Sequence, residues 1–136
     1  MDMAIRVSGL RRSFGEVEAV AGVDLEVRHG EIFAFLGPNG AGKTTTIEIL
    51  EGFGERDAGA VEVLGVDPAH ATSDWRQRVG IVMQESPGEQ ELTVHEVMEL
   101  YAGLYKEPRG VDETLALVGL DAEAAAKIAA MLSGGQ

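Results

Sequence analysis

The chain has 136 residues, the length of one compact domain, and its 45% apolar and 25% charged residues support a packed core and exclude bulk disorder. Eleven basic against 23 acidic residues leave a net charge of −12, which excludes a general nucleic-acid binder, because affinity for a phosphate backbone comes from clustered Lys and Arg. There is no cysteine, hence no disulfide and no thiolate metal site, and three scattered histidines (His29, His70, His95) leave little for a metal cage.

No run approaches the roughly 18–20 apolar residues that cross a bilayer. The start, Met1-Asp2-Met3, has no basic stretch leading into an apolar one. The expectation is a soluble cytosolic domain that meets a membrane only through a partner. The 18 glycines sit at segment ends, where they punctuate turns.

In chain order, Ala4–Leu10 suits a short strand with a break at Gly9, and Phe14-Gly15 marks a turn. Val17–Val27 alternates Val23, Leu25 and Val27 with Asp24 and Glu26, which predicts a half-buried strand antiparallel to the first. Ile32–Leu36 is continuously apolar, the pattern of a strand buried on both faces. Thr45–Glu51 reads as a helix closed by Gly52. Asp57-Ala58-Gly59 reads as a turn, and Ala60–Leu64 as a strand. Thr72 or Ser73 caps a helix through Trp75 to about Arg78, with Trp75 as a partly buried anchor. Val79–Met83 predicts a strand ending at Gln84-Glu85, and Ser86–Glu91 a polar loop. Thr93 and Glu96 fit a capping box for a helix through Val97, Leu100 and Leu104. After Pro108-Arg109-Gly110, Val111–Val118 and Asp121–Leu132 read as two more helices. The acidic residues of 85–124 form a solvated face, and Arg11-Arg12 a solvated turn.

The chemistry concentrates between the apolar run and the first helix, in Gly37-Pro38-Asn39-Gly40-Ala41-Gly42-Lys43-Thr44. Glycines at this spacing let successive amides turn inward as an anion nest, and the following helix aims its positive N-terminal end at the same place. Lys43 reaches the outer phosphates of a nucleotide and the Thr44 hydroxyl can ligate Mg²⁺. A strongly acidic chain can hold a polyanion this way, since local amides, a lysine and a cation outweigh distant, screened charges.

This cradle, then Gln84 at a strand end, then Leu132-Ser133-Gly134-Gly135-Gln136, in that order, resembles the ATP-binding cassette (ABC) transporter ATPases over essentially the whole chain, 1–136. Gly52, the Asp57-Ala58-Gly59 turn, Leu64–Pro68 and Glu91–Val94 resemble the multidrug and antibiotic exporter branch. The resemblance implies an α/β P-loop NTPase fold with three parts: an N-terminal antiparallel β subdomain, a partial RecA-like parallel core, and an α-helical subdomain over about 85–132. It also implies roles. Phe14 would stack on adenine. Val20 would either touch the base edge or simply pack. Gly37, Pro38, Asn39, Gly40, Ala41, Gly42, Lys43, Thr44 and Thr45 would hold the phosphates of ATP. Thr44 and Gln84 would serve Mg²⁺, with Gln84 also near the attacking water. Ser133, Gly134, Gly135 and Gln136 would bind the terminal phosphate held by a second nucleotide-binding domain, identical or different, so that ATP is sandwiched. The implied partners are transmembrane permease subunits, met through the Gln84 loop on the inner face of the cell membrane, and no nucleic acid.

The family places an Asp-Glu pair, which holds Mg²⁺ and polarises the attacking water, and a late histidine after the signature; the chain ends at Gln136. Asp67 is followed by Pro68 and precedes Gln84, Val111-Asp112-Glu113 lacks a preceding apolar strand, and His95 precedes the signature, so none stands in. The expectation is a fragment of a longer chain that lacks the C-terminal strands. It would bind Mg-ATP, hydrolyse it negligibly alone, and leave the strands at Ile32–Leu36 and Val79–Met83 with unpaired edges. The alternatives are a non-transport ABC-type ATPase or a fragment that only binds nucleotide or a partner.

Overall fold

The computed structural model describes residues 2–82, 92–120 and 126. Two compact units, Met1–Ile81 and Val82–Gln136, divide the chain.

The first unit is built on a long hairpin. β1 (Met3–Phe14) and β2 (Val17–Arg28) pair antiparallel, and β3 (Ala58–Val63) pairs antiparallel on the other side of β1, giving the order β2-β1-β3. Both hairpin strands run longer than their apolar alternation suggested. The ladder absorbs the extra residues through register shifts, one of them between Val7 and Leu10 and around Gly9. The predicted turn at Ala58-Gly59 is instead the start of β3. Gly59 permits this: its φ is 94°, and a Cβ there would stand 2.5 Å from the Gly9 carbonyl oxygen.

One face of this sheet carries the core: Val7, Leu10, Val20, Val61 and Val63, closed over by Ile49 and Trp75. Ile49 arrives on α1 (Lys43–Glu51), which ends at Gly52 in the left-handed conformation, as the sequence suggested. A 3-10 turn (Pro68–His70) and α2 (Ser73–Arg76), capped by the Thr72 hydroxyl, bring in Trp75. Trp75 is fully enclosed, and its indole N–H donates to the Val63 carbonyl at 2.8 Å.

Two expected strands of the parallel core are corrected. Residues 31–38 and 79–82 form no ladder, and the described sheet is wholly antiparallel. Ile32 is fully exposed, as are most of Leu36 and Val82. A strand buried on both faces is held by neighbours on each side, and no described residue offers them.

In the second unit, α3 (Val94–Ala102) opens on the capping box the sequence predicted. The Thr93 hydroxyl accepts from the Glu96 amide at 3.2 Å, and the Glu96 carboxylate accepts from the Thr93 amide at 2.8 Å. These bonds hold the Glu96 carboxyl below the usual carboxylate range. The helix stops at Ala102, short of the expected Leu104. α4 (Val111–Leu117) follows Gly110 and buries Leu115. The helix expected over Asp121–Leu132 lies outside the described residues. Among the described residues no helix is long and apolar enough to cross a membrane.

Candidate nucleotide-binding site

The loop from Gly37 to Gly42 folds over the N-terminus of α1. Gly42 occupies the N-cap position with φ 79°, and the first intrahelical bond runs from the Thr46 amide to the Gly42 carbonyl, 2.9 Å. The amides of Lys43, Thr44 and Thr45 precede that bond and have no intrahelical acceptor. Gly42 brings no side chain to cap them, and the first turn holds no acidic residue. The helix end therefore presents these amides, without an acceptor among the described residues, and its positive pole to the loop.

Sterics explain Gly42. A Cβ there would fall 2.1 Å from the Ala19 carbonyl oxygen and 3.2 Å from Val20 Cγ2. The loop is thus pressed directly against β2, and only glycine fits the approach. Val20 itself is buried in the core, which resolves its two readings in favour of packing. Gly40 has φ 82° with open space around it, so its glycine serves the turn and not a contact. The Ala41 amide donates to the Pro38 carbonyl at 3.2 Å, tightening the loop. Lys43 folds back over it, its Nζ donating to the Gly37 and Pro38 carbonyls at 2.6 Å each. The lysine charge is thereby parked across the mouth of the cradle, with the exposed Asn39 and Gly40 at its rim and Thr44 exposed on the first turn. The donor set fits an anionic phosphate chain: amides, an ammonium group and a hydroxyl, with no carboxylate among them.

Phe14 sits at the tip of the β1–β2 hairpin, paired with Val17 and half-exposed at 54%. β2 thus carries both the strand end opposite Phe14 and the Ala19–Val20 edge against which the cradle rests. Sequence reasoning missed the support beneath this ring. Arg12 does not point into solvent as expected of a turn; its guanidinium lies over the Phe14 ring, 4.9 Å from the centroid. Asp57 holds Arg12 Nη1 at 3.0 Å and accepts from the Ser13 amide at 2.6 Å. The available signal was the i, i+2 spacing of Arg12 and Phe14, which places them on one face of a strand.

Asp67 is occupied elsewhere. Both its oxygens accept from Arg56, and Oδ1 also accepts from the Ala69 amide at 3.0 Å. Among the described residues no group of three His, Cys, Asp or Glu could hold a metal. His95 is half-exposed on α3, between Glu99 at 3.8 Å and Asp112 at 3.3 Å. Gln84, Ser133, Gly134, Gly135 and Gln136 lie outside the described residues.

A glycine-rich loop after an apolar segment, locked on a strand and opening a helix, defines the P-loop class of phosphate-binding proteins. Comparison with known proteins narrows this. The ABC transporter family model matches residues 20–136, and the chain belongs to that family. A daunorubicin resistance ATP-binding protein of Streptomyces coeruleorubidus is 38% identical over 104 residues, covering 76% of this chain and 33% of that protein. A sulfate/thiosulfate import ATP-binding protein of Methylococcus capsulatus is 37% identical over 145 aligned residues, covering 98% of this chain and 40% of that protein. A solved ATP-binding subunit of an ABC transporter superposes with a TM-score of 0.81 at 26% identity, over 96% of this chain and 56% of that one. The chain thus spans a third to two-fifths of those curated relatives.

Proposed function

We propose that residues 37–45 grip the triphosphate of ATP and that the intact protein is the energy-coupling, ATP-hydrolysing subunit of an ABC transporter. The observation that carries this reading is the cradle itself: a loop held on β2 by Gly42, an uncapped helix N-terminus and Lys43 across the opening. Lys43 would exchange its two carbonyl partners for phosphate oxygens. Thr44, with Gln84, would hold Mg²⁺, whose charge neutralises the outer phosphates. Phe14 would provide the platform for the base. Residues 1–136 contain no counterpart of the family's Asp-Glu pair, so the proposal for these residues themselves is binding, with turnover belonging to the intact protein.

Transmembrane permease subunits and a second nucleotide-binding domain complete the proposed assembly, with Ser133–Gln136 meeting the partner's nucleotide at the inner membrane face. Export is the direction we propose. The exporter-like residues at 52–68 and 91–94 support it, as does the resemblance to a drug-resistance ATP-binding protein.

Calorimetric titration of the full chain with Mg-ATP tests the cradle. Binding is expected, and Lys43→Ala should weaken it by about 10-fold or more, the loss of a charge-assisted hydrogen bond. Absence of heat with well-folded protein, or indifference to the substitution, would overturn the proposal.

A further inference from the structure

The Phe14 ring does not stand alone at the hairpin tip. The Arg12 guanidinium lies over it at 4.9 Å, while the ring remains 54% exposed. Arg12 is not a loose surface arginine; its side chain is 22% exposed and tethered. Asp57 Oδ1 takes its Nη1 at 3.0 Å, Glu55 stands at 4.0 Å, and Asp57 Oδ2 is fixed by the Ser13 amide at 2.6 Å. Asp57 also donates its own amide to the Arg11 carbonyl at 2.9 Å, so the residue is anchored to β1 through both its backbone and its side chain. Backbone, carboxylate, guanidinium and ring form one continuous stack built on the entry to β3.

We propose that Arg12, held by Asp57, is a positioning residue for nucleotide recognition: it braces Phe14 so that the exposed ring surface serves as a preorganised platform for a purine base. This rests on the reading of Phe14 as the base platform. The physical reasoning has two parts. A phenyl ring at an exposed hairpin tip samples several rotamers, and ordering it on binding costs affinity; a guanidinium already stacked on it removes part of that cost. A cation over an aromatic ring is attracted to its π electrons and withdraws density from it, which favours an electron-rich purine stacked on the same ring. Arg11, the neighbouring basic residue, points its charge to Glu18 instead and takes no part.

The experiment compares Mg-ATP with inorganic tripolyphosphate, which fills the phosphate cradle but has no base. Calorimetry on the full chain gives the affinity ratio of the two for each variant. Phe14→Ala is expected to cut the ratio by about 10-fold through lost stacking. Arg12→Ala should cut it by about 2- to 5-fold with tripolyphosphate unchanged, Arg12→Lys should restore most of it, and Asp57→Asn should reproduce part of the Arg12→Ala loss. Melting temperatures of all four variants identify any that fails to fold, and Arg12→Lys and Asp57→Asn keep the test alive if Arg12→Ala does. If Phe14→Ala lowers the ratio and no Arg12 or Asp57 variant does, the bracing is wrong while the platform stands. If Phe14→Ala leaves the ratio unchanged, the platform reading fails and the bracing with it. An equal drop for both ligands in Arg12→Ala would reveal a merely structural role and overturn the proposal.

Discussion

At the scale of single residues, two glycines of one loop separate conformational need from steric need. Gly40 and Gly42 both have φ near 80°, a region that costs a side-chain-bearing residue about 1–2 kcal/mol. Gly40 has nothing within 4 Å, whereas a Cβ on Gly42 would collide with the Ala19 carbonyl. Gly40→Ala is therefore expected to lower stability by about 1 kcal/mol, and Gly42→Ala by clearly more, since the loop must also lift off β2. Urea denaturation midpoints of the two variants measure the difference; equal losses would mean that the close approach carries no energy. Four residues beyond Gly42, Thr46 buries a hydroxyl with no hydrogen-bond partner among the described residues. A desolvated, unpaired oxygen costs roughly 1–3 kcal/mol, and valine has nearly the same shape and helix propensity. Thr46→Val should raise the midpoint, by about 1 kcal/mol in free energy. A fall would show that the hydroxyl is satisfied in solution.

At the scale of elements, the entry to the 3-10 turn depends on one ion pair. Asp67 caps the turn through the Ala69 amide and is held by the Arg56 guanidinium, which keeps its carboxyl below the usual carboxylate range. A folded-state pKa below the unfolded one gives stability that is present above the unfolded pKa, near ~3.9, and is lost as pH falls through the folded value. Glu51 acts in the opposite sense. Burial, then the neighbouring Glu48 charge, pushes its carboxyl up, so its ionisation costs stability as pH rises through the folded value. Melting temperature followed from about pH 5 to about pH 3 should fall less steeply in Asp67→Asn than in the wild type. Identical slopes would mean that the pair exerts no net pull. How much was legible in the sequence follows the same division between local and distant causes. The Thr93–Glu96 box, the Thr72 cap and the α1 stop at Gly52 were readable because their partners lie within four residues. The glycine spacing of the loop was readable for the same local reason, but its seat against the Ala19 carbonyl, on a distant strand, was not. The Arg12–Asp57 contact was not, because it joins residues 45 apart that meet only once β3 pairs with β1. Ile32–Leu36 misled for a related reason: its apolar run reports a preference for burial, and the ladder that satisfies it depends on residues far away in sequence.

At the scale of the whole molecule, the first unit is packed on one side and open on the other. Its core is packed around Leu10 and Ile49, both almost fully buried. Across α1, Ile5, Leu25, Phe33, Phe35, Ile47 and Val79 line an open apolar cleft of about 480 Å³. The segment that contributes Phe33 and Phe35 joins no ladder among the described residues and leaves Ile32 wholly in solvent. Unpaired apolar backbone of this kind templates association between chains. Hydrogen exchange on the 136-residue chain should therefore show two populations. The amides of Val7, in the central strand, and Leu64, which donates to the Ala4 carbonyl at 2.8 Å, should be protected close to the global unfolding free energy. Those of residues 32–36 should exchange as fast as an unstructured peptide. Ile32→Lys should reduce concentration-dependent association without lowering the urea midpoint, because that side chain makes no buried contact to lose. Protection at 32–36 equal to that of β1, independent of protein concentration, would show that the segment already has a partner within the chain, and the open edge would have to be abandoned.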